Sequence, residues 1–406
     1  MQQKLWNKNF SLIILGTIIS AIGGVGLSLA LSVTVYDETQ STWLTGLYSA
    51  LTILPTLLLP ILVSPFIDRF SRKKIIYRLD YFMGAMFLIF AFITRSGYFN
   101  FYVYVAMGIV MTLNGIVYNL AYDSLFPNLI PKGMLQKGYA VGNLVYPLTN
   151  VLVLPVATLV FKHFGVSFMF VIEGILLIIA ATFERHIDVD ENLEKAVKLN
   201  LKAHFNDISE GFKYLLSEKG IWNVYLFFFV MMFADGLNIL IYPYFEKHET
   251  LTLMHYSLLL SFQSAGYMFG GFLHYFIKIP THLRYAISVA VYAIFAATDT
   301  LFFLMPLVAM IITKFSLGIL GMNSANIRIT SINAYIDDTK RGRINAVYTT
   351  MMGLSILLGK LCTGWLGEIF TFEQVGVLYG VLVLVGIGIF IIRHRTDVRF
   401  LYNREV

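Results

Sequence analysis

Long apolar runs alternate with short polar turns along almost the whole chain. A helix needs roughly 20 apolar residues to cross about 30 Å of hydrocarbon, and this length decides how many spans each run can supply. The pattern predicts six spans in each half of the sequence: 10–36, 43–66, 75–94, 101–122, 136–161, 166–184, 221–244, 255–277, 284–303, 305–329, 343–369 and 375–392. The predicted fold class is an all-α integral membrane protein with twelve transmembrane helices.

A polar stretch separates the two sets of six spans and predicts three regions. These are an N-terminal six-helix half at 1–184, a cytoplasmic linker at 185–220 and a C-terminal six-helix half at 221–406. Within the linker, residues 204–216 alternate apolar and polar positions with a helical period, which predicts an amphipathic helix along the membrane surface. Two six-span halves in parallel orientation are typical of secondary transporters.

The distribution of charge gives an orientation. The chain is 57% hydrophobic and only 13% charged, with a mean hydropathy of +0.72, which excludes an ordinary soluble domain. Of the 30 Lys and Arg residues, 24 fall in the termini and the even-numbered turns and three in the odd-numbered turns. Basic loops remain in the cytoplasm, so both termini are predicted there, in the plasma or inner membrane of the cell. The net charge of +6 follows from this bias, and no nucleic-acid partner is expected.

Polar residues inside the predicted spans mark candidate functional positions, because such residues face a cavity or a partner. Asp235, in the middle of span 7, is the first candidate for proton or cation coupling, and Glu173 in span 6 is the second. The alternative for Asp235 is a structural pair with Lys314 or Lys360. The candidate contacts of a substrate cavity are Asn114, Asn119, Asn238, Lys314, Asn323, Asn326 and Arg328, although Arg328 could instead extend towards the cytoplasmic surface.

Other chemistry has little support in the sequence. The single cysteine, Cys362, and eight scattered histidines offer no metal-ligand spacing, so no metal site is expected. No phosphate-binding Gly-x-x-x-x-Gly-Lys-Ser/Thr motif and no clustered catalytic set are found. We therefore expect no enzyme and no cofactor, with the proton-motive force as the energy source.

The turn between spans 2 and 3 resembles the signature of the major facilitator superfamily, Gly-x-x-x-Asp-Arg-x-Gly-x-Arg/Lys-Arg/Lys. It reads Ser64-Pro65-Phe66-Ile67-Asp68-Arg69-Phe70-Ser71-Arg72-Lys73-Lys74, with Ser64 and Ser71 in place of the glycines. Three further segments resemble the bacterial branch of macrolide-type drug exporters and the enterobactin exporter: Val35-Tyr36-Asp37-Glu38-Thr39-Gln40-Ser41, Leu54-Pro55 and Arg341-Gly342-Arg343.

This resemblance implies a major facilitator fold and a gating motif made of Asp68, Arg69, Arg72, Lys73 and Lys74. In the family, the aspartate that matches Asp68 helps to latch the halves together on the cytoplasmic side. The N-terminus of span 11 presents a positive dipole end on that side, to which an acid can be attracted. The sequence departs from the family in two places. The arginine often found in span 4 is absent, and Pro155 is what remains of the glycine-rich antiporter motif of span 5.

The combined expectation is a monomeric secondary transporter in the lipid bilayer, without an obligate protein partner. It would export hydrophobic or amphipathic small molecules, as drug exporters do, by alternating access and proton antiport. The alternatives are a transporter of another cargo or direction, such as siderophore or lipid export or solute uptake, and a non-transporting membrane sensor. The sensor would need a folded output domain, which the linker is too short to hold.

The orientation can be checked with reporter fusions. A fusion at Lys162, in the turn between spans 5 and 6, should report the outside of the cell, and a fusion at Lys195, in the linker, should report the cytoplasm. The opposite pattern would reverse the predicted topology.

Overall fold

The computed structural model describes residues 4–57, 59–67, 69–191, 201–277 and 279–404, and within these ranges it contains helices and no strand. The predicted all-α class is confirmed. The α-helices are α1 Lys8–Thr39, α2 Thr42–Ile53, α3 Leu59–Ile67, α4 Arg72–Thr94, α5 Phe101–Leu129, α6 Leu135–Arg185, α7 Leu201–Ser217, α8 Lys219–Ala234, α9 Ile241–Lys247, α10 Leu253–Phe276, α11 Arg284–Leu301, α12 Leu307–Tyr335, α13 Asp338–Ile369, α14 Phe372–Gly386 and α15 Arg395–Tyr402.

These helices supply the twelve predicted spans, and several spans are composite. Span 2 joins α2 and α3 through a 3₁₀ turn, Leu54–Leu57, and span 7 joins α8 and α9 through another, Asp235–Leu240. Span 12 is α14 followed by a π-helical segment, Ile387–Ile392. In the described ranges, nine helical segments are long and apolar enough to cross a membrane by length and composition. α6 is one of these nine but provides two spans. Span 2, which is interrupted, and α10, which is more polar, are not among the nine, and adding them gives twelve spans.

One glycine divides α6 into spans 5 and 6. The helix has 51 residues, far more than one crossing needs, and Gly165 interrupts it with φ 73° and ψ −178°. That backbone conformation is open almost solely to glycine. The break lies between the predicted spans at 136–161 and 166–184.

The chain forms two compact units. Unit 1 comprises Met1–Thr39 and Leu51–Leu199, and unit 2 comprises Gln40–Ala50 and Asn200–Val406. In unit 1, α6 packs against both α1 and α4. In unit 2, α10 packs on α12, α11 on α14, and α13 on α8 and the 3₁₀ turn of span 7.

Residues 40–50, which include most of α2, group with unit 2, and they dock on α13. The Glu368 carboxylate, near the end of α13, accepts hydrogen bonds from Ser41 Oγ (2.7 Å) and from the backbone N–H of Trp43 (2.9 Å). It therefore satisfies groups at the N-terminus of α2 that lack intrahelical partners. A Cβ atom on Gly46 would lie 2.6 Å from the Lys360 carbonyl oxygen, so the two helices meet backbone to backbone.

The linker contains the predicted helix, as α7. Glu210 on α7 forms an ion pair with Arg343 on α13, with 2.9 Å between the side-chain oxygen and nitrogen. The Lys340 ammonium lies 4.3 Å from the centre of the Tyr214 ring, and Leu215 is fully buried. α7 is thus held against the beginning of α13.

The break at Gly165 gives a test of the fold. No atom would lie within 4 Å of a Cβ there, so Gly165→Ala introduces backbone strain without a clash and should destabilise the protein by about 1–3 kcal/mol. Gly115→Ala, at a helical position with equally open surroundings, is the matched control and should be neutral or stabilising by about 0.5–1 kcal/mol. The measurement is the thermal stability of the purified protein in detergent. Equal stability of the two variants would contradict the strained turn.

Candidate functional site

Unit 2 encloses a cavity of about 250 Å³ between α8, α10, α11, α12 and the 3₁₀ turn of span 7. Its walls are mainly aromatic and aliphatic, with two methionines from α8. Its polar lining residues are Asp235, Asn238, Gln263, Thr298, Asp299, Lys314, Ser324 and Arg328. An apolar pocket with a few convergent polar groups is the usual form of a small-molecule site.

The break in span 7 places Asp235 at this cavity. Asp235 is the first residue of the 3₁₀ turn that follows α8. The Asn238 amide nitrogen donates to the carbonyl oxygen of Asp235 at 2.9 Å and to its carboxylate at 2.6 Å, which supports the tightened turn. A 3₁₀ stretch inside a longer helix often marks a functional hinge.

Asn238 also connects Asp235 to Lys314. The Lys314 ammonium donates to the Asn238 amide oxygen at 2.8 Å, and only 8% of Lys314 is exposed. Because an ammonium can only donate, the amide oxygen must face Lys314, which leaves the NH₂ group for Asp235. The structural pair that the sequence left as an alternative is therefore present in bridged form, with one amide between the two charges.

Two further charges belong to the same cavity. Asp299, near the end of α11, interacts electrostatically with Lys314, as does Asp235. The Arg328 guanidinium on α12 stacks over the Phe228 ring, 3.6 Å from its centre, so it lines the cavity through a cation–π contact. The cavity thus contains two carboxylates and two cationic side chains.

The remaining predicted cavity residues lie elsewhere. Asn323 and Asn326 are on α12 but outside this lining, and the Asn323 amide donates to the Ile319 carbonyl at 2.8 Å. Asn114 and Asn119 are on α5 in unit 1. The Asn114 amide oxygen is buried and has no hydrogen-bond partner among the described residues.

Sequence reasoning did not select Asp299, Gln263 or Tyr267 as cavity residues. Asp299 lies inside the predicted span 284–303, and in the structure it is near the end of α11, which continues to Leu301 before the turn at Phe302–Leu304. An acid inside a predicted span was the signal that could have identified it.

Unit 1 contains a separate set of buried carboxylates. Glu173 and Glu184 on α6 and Asp80 on α4 are each at most 4% exposed. The Tyr118 hydroxyl donates to Glu184 at 2.9 Å, yet one oxygen of each of the three acids has no hydrogen-bond partner in the described part of the chain. Glu173 lies directly against Gly23 of α1, where any larger residue would collide with its carboxylate.

Asp80 and Glu184 were not selected from the sequence. Asp80 lies inside the predicted span 75–94, near the end predicted to be cytoplasmic, and because α4 begins at Arg72 it is two turns inside the helix. Glu184 is in the last turn of α6 and was treated as the boundary of the linker. Both acids lie within two turns of the ends of their predicted spans, where hydropathy does not distinguish a solvated carboxylate from a buried one.

The structure describes the predicted gating turn in part. Asp68 lies outside the described residues, and Arg69 precedes α4. The Ser71 side chain caps α4 by accepting from the backbone N–H of Lys74 at 3.3 Å. Glu191 accepts from Ser71 Oγ at 2.5 Å and from the backbone N–H of Arg72 at 2.6 Å. Ser71, which replaces a glycine of the signature, thus begins the helix. The gating roles of Asp68, Arg69, Arg72, Lys73 and Lys74 stay predictions.

The family model of the Major Facilitator Superfamily matches residues 13–339. The chain belongs to this superfamily. It is 21% identical over 394 residues to the MFS-type transporter YvqJ of Bacillus subtilis (strain 168), covering 95% of this chain and 92% of YvqJ. YkuC, an MFS-type transporter of the same organism, is 20% identical over 237 residues, covering 57% of this chain and 55% of YkuC. The predicted superfamily is confirmed, and the chain is a multi-pass membrane transporter with the twelve-helix, two-half architecture.

Solved structures show the same fold for different cargoes. The nucleoside transporter NupG superposes with a TM-score of 0.69 at 14% identity, covering 95% of this chain and 99% of NupG. A bacterial homologue of the human lysosomal transporter Spinster gives 0.68 at 13% identity, covering 99% of both chains. The peptide transporter POT gives 0.70 at 10% identity, covering 99% of this chain and 97% of POT. At these identities the likeness establishes the fold alone.

The bridge through Asn238 can be tested by a double-mutant cycle. Asn238→Leu removes the acceptor of the buried Lys314 ammonium and should lower the free energy of unfolding by about 1–3 kcal/mol. In a Lys314→Met background the same change should lower the free energy of unfolding by a smaller amount, because no buried ammonium remains to be satisfied. Asn326→Leu, outside the cavity lining on α12, is the matched control and should show no such dependence on Lys314. An equal loss in both backgrounds would contradict the bridge.

Proposed function

We propose that this transporter exports amphipathic small molecules in exchange for protons, and that Asp235 couples the two movements. The observation that carries the proposal is the hydrogen-bonded series Asp235–Asn238–Lys314, which lies at the break of span 7 and lines the cavity of unit 2. A carboxylate at such a place can bind a proton or a cationic group and thereby change the contacts of its neighbours.

The cavity lining supports an amphipathic cargo. Phe228, Phe295 and Phe302 offer apolar contact area, and Met231 and Met232 add side chains that adapt to different shapes. The carboxylates of Asp235 and Asp299 lie in the same space and interact with Lys314, so a cationic group of the cargo would compete with Lys314 for them. A flexible apolar wall with a fixed charge suits a set of related molecules better than a single rigid one.

The proposed coupling follows from the hydrogen bonds. An ionised Asp235 accepts from Asn238, and its negative charge compensates the nearby Lys314 ammonium. When Asp235 takes up a proton, that compensation is lost and a cationic cargo is no longer attracted. Proton and cargo therefore compete for the same carboxylate, and the difference in their contacts provides the free energy that an exchange mechanism needs.

Several parts of the proposal lie outside this cavity. Glu173 is the second candidate for proton coupling, since burial of an ionised carboxylate without a partner is costly and protonation removes that cost. The proposed location is the plasma or inner membrane of the cell with both termini cytoplasmic, as the distribution of basic residues favours. Gating by Asp68 and the basic residues that follow it belongs to the same proposal.

A second candidate is the transport of a polar solute. The cavity also presents Gln263, Ser324 and Arg328, which could hold hydrogen-bonding groups of a cargo. NupG and POT, of the same fold, carry nucleosides and peptides by their names. Nucleosides and dipeptides are therefore the comparison cargoes in the experiment below.

The test is transport in proteoliposomes under an imposed pH gradient. We expect fluorescent amphipathic cations to move against the proton gradient, with matching proton flux, and nucleosides and dipeptides to remain in place. Asp235→Asn should abolish proton-driven exchange while the protein stays folded. Asp299→Asn, an equivalent change in the same cavity but outside the Asn238 bridge, is the matched control and should retain coupling.

Three outcomes would contradict the proposal. Unchanged antiport in Asp235→Asn would remove the coupling role of this residue. Loss of coupling in Asp299→Asn alone would move that role to α11. Movement of nucleosides or dipeptides instead of amphipathic cations would replace the proposed cargo class.

A further inference from the structure

The C-terminal helix α15 begins directly where the last span ends. Span 12 closes with the π-helical segment Ile387–Ile392, and α15 starts three residues later, at Arg395. This short connection keeps α15 at the boundary between hydrocarbon and headgroups, on whichever side of the membrane span 12 emerges. The helix is therefore within reach of lipid headgroups by chain connectivity alone.

The inward face of α15 is fixed to unit 2. Val398, Leu401 and Tyr402 are each at most 2% exposed, and the Tyr402 hydroxyl lies 3.0 Å from that of Tyr292. After the helix, the Asn403 amide donates to the His282 carbonyl at 3.0 Å. Because these contacts fix the orientation of α15, its opposite face points away from the rest of unit 2.

That opposite face is basic and has no acidic partner among the described residues. Arg395 and Arg399 are exposed one helical turn apart, and together with Arg404 they line an open groove beside Tyr285. Arg284 donates to the Arg404 carbonyl at 3.1 Å, so a fourth guanidinium adjoins the groove. The single acid within α15, Asp397, is on the side where the backbone packs against Gly220 of α8.

An exposed aromatic side chain accompanies the arginines. Phe400 lines the same groove and is 65% exposed. On an amphipathic helix at a membrane boundary, exposed aromatics enter the region between headgroups and acyl chains, and basic residues contact anionic headgroups. A soluble anion would gain nothing from Phe400, whereas a phospholipid can contact both the ring and the guanidinium groups.

We propose that the groove formed by Arg395, Arg399, Arg404 and Phe400 binds the headgroup of an acidic phospholipid. The guanidinium groups hold the phosphate oxygens through charge-assisted hydrogen bonds, and Phe400 lies against the upper acyl chains. The site is separate from the cavity of unit 2 and does not depend on which cargo the transporter carries.

The test uses a fluorescent reporter at the site. The full-length protein carrying Phe400→Trp is placed in bilayers of phosphatidylcholine that contain the same mole fraction of either brominated phosphatidylglycerol or brominated phosphatidylcholine. Bromine quenches a nearby indole, so enrichment of the acidic lipid appears as extra quenching by the phosphatidylglycerol. The background of the four native tryptophans is measured on the protein with Phe400 intact.

We expect extra quenching by brominated phosphatidylglycerol and its loss in the Arg395→Gln/Arg399→Gln variant. Lys132→Gln/Lys137→Gln removes two exposed charges near the beginning of α6 and is the matched control, which should keep the extra quenching. Equal quenching by the two lipids, or equal loss in both double variants, would overturn the proposal. Displacement of the extra quenching by inorganic phosphate would assign the groove to a soluble anion and overturn the lipid assignment. Thermal stability of each variant confirms that it is folded.

Discussion

A charged side chain inside a bilayer is stable only beside a partner, and this constraint organises the interior of unit 2. Lys314 is almost fully buried, and the Asn238 amide gives it an acceptor while the same amide donates to Asp235. Positions 235 and 238 lie three residues apart in the 3₁₀ turn of span 7, where side chains at this spacing are on one side. The cavity forms around this polar group, and its mainly apolar walls also carry the charges of Asp299 and Arg328.

Unit 1 meets the same constraint differently. Glu173, Asp80 and Glu184 are buried beside small residues and a tyrosine hydroxyl, and no ion pair with a basic residue is found for them among the described residues. The two units therefore contain contrasting polar interiors: unit 2 balances carboxylates with cations, and unit 1 concentrates acids. Under the proposed proton coupling, both arrangements offer sites where binding of a proton would change the local free energy.

Carboxylates outside the cavities act mainly on helix ends. Glu368 accepts hydrogen bonds at the beginning of α2, Glu191 does so at the beginning of α4, and Glu210 pairs with Arg343 near the beginning of α13. Glu368 and Glu191 satisfy backbone N–H groups that a helix N-terminus leaves without partners, and Glu210 compensates the charge of Arg343. These contacts stabilise the beginnings of α2, α4 and α13.

Hydropathy determined the number of spans and the helix in the linker, because apolar length and apolar period are local properties of the chain. The general family came from the resemblance of the turn 64–74 to the superfamily signature. Hydropathy also identified Asp235, Asn238, Lys314 and Arg328, since polar residues stand out in an apolar run. Only the tertiary structure decided how they combine. Asp235 is connected to Lys314 through Asn238, and Asp299 lines the same cavity. The burial of Asp80 and Glu184 was likewise visible only in the structure. These facts depend on which faces of distant helices meet, and the spacing of residues within one segment does not determine that.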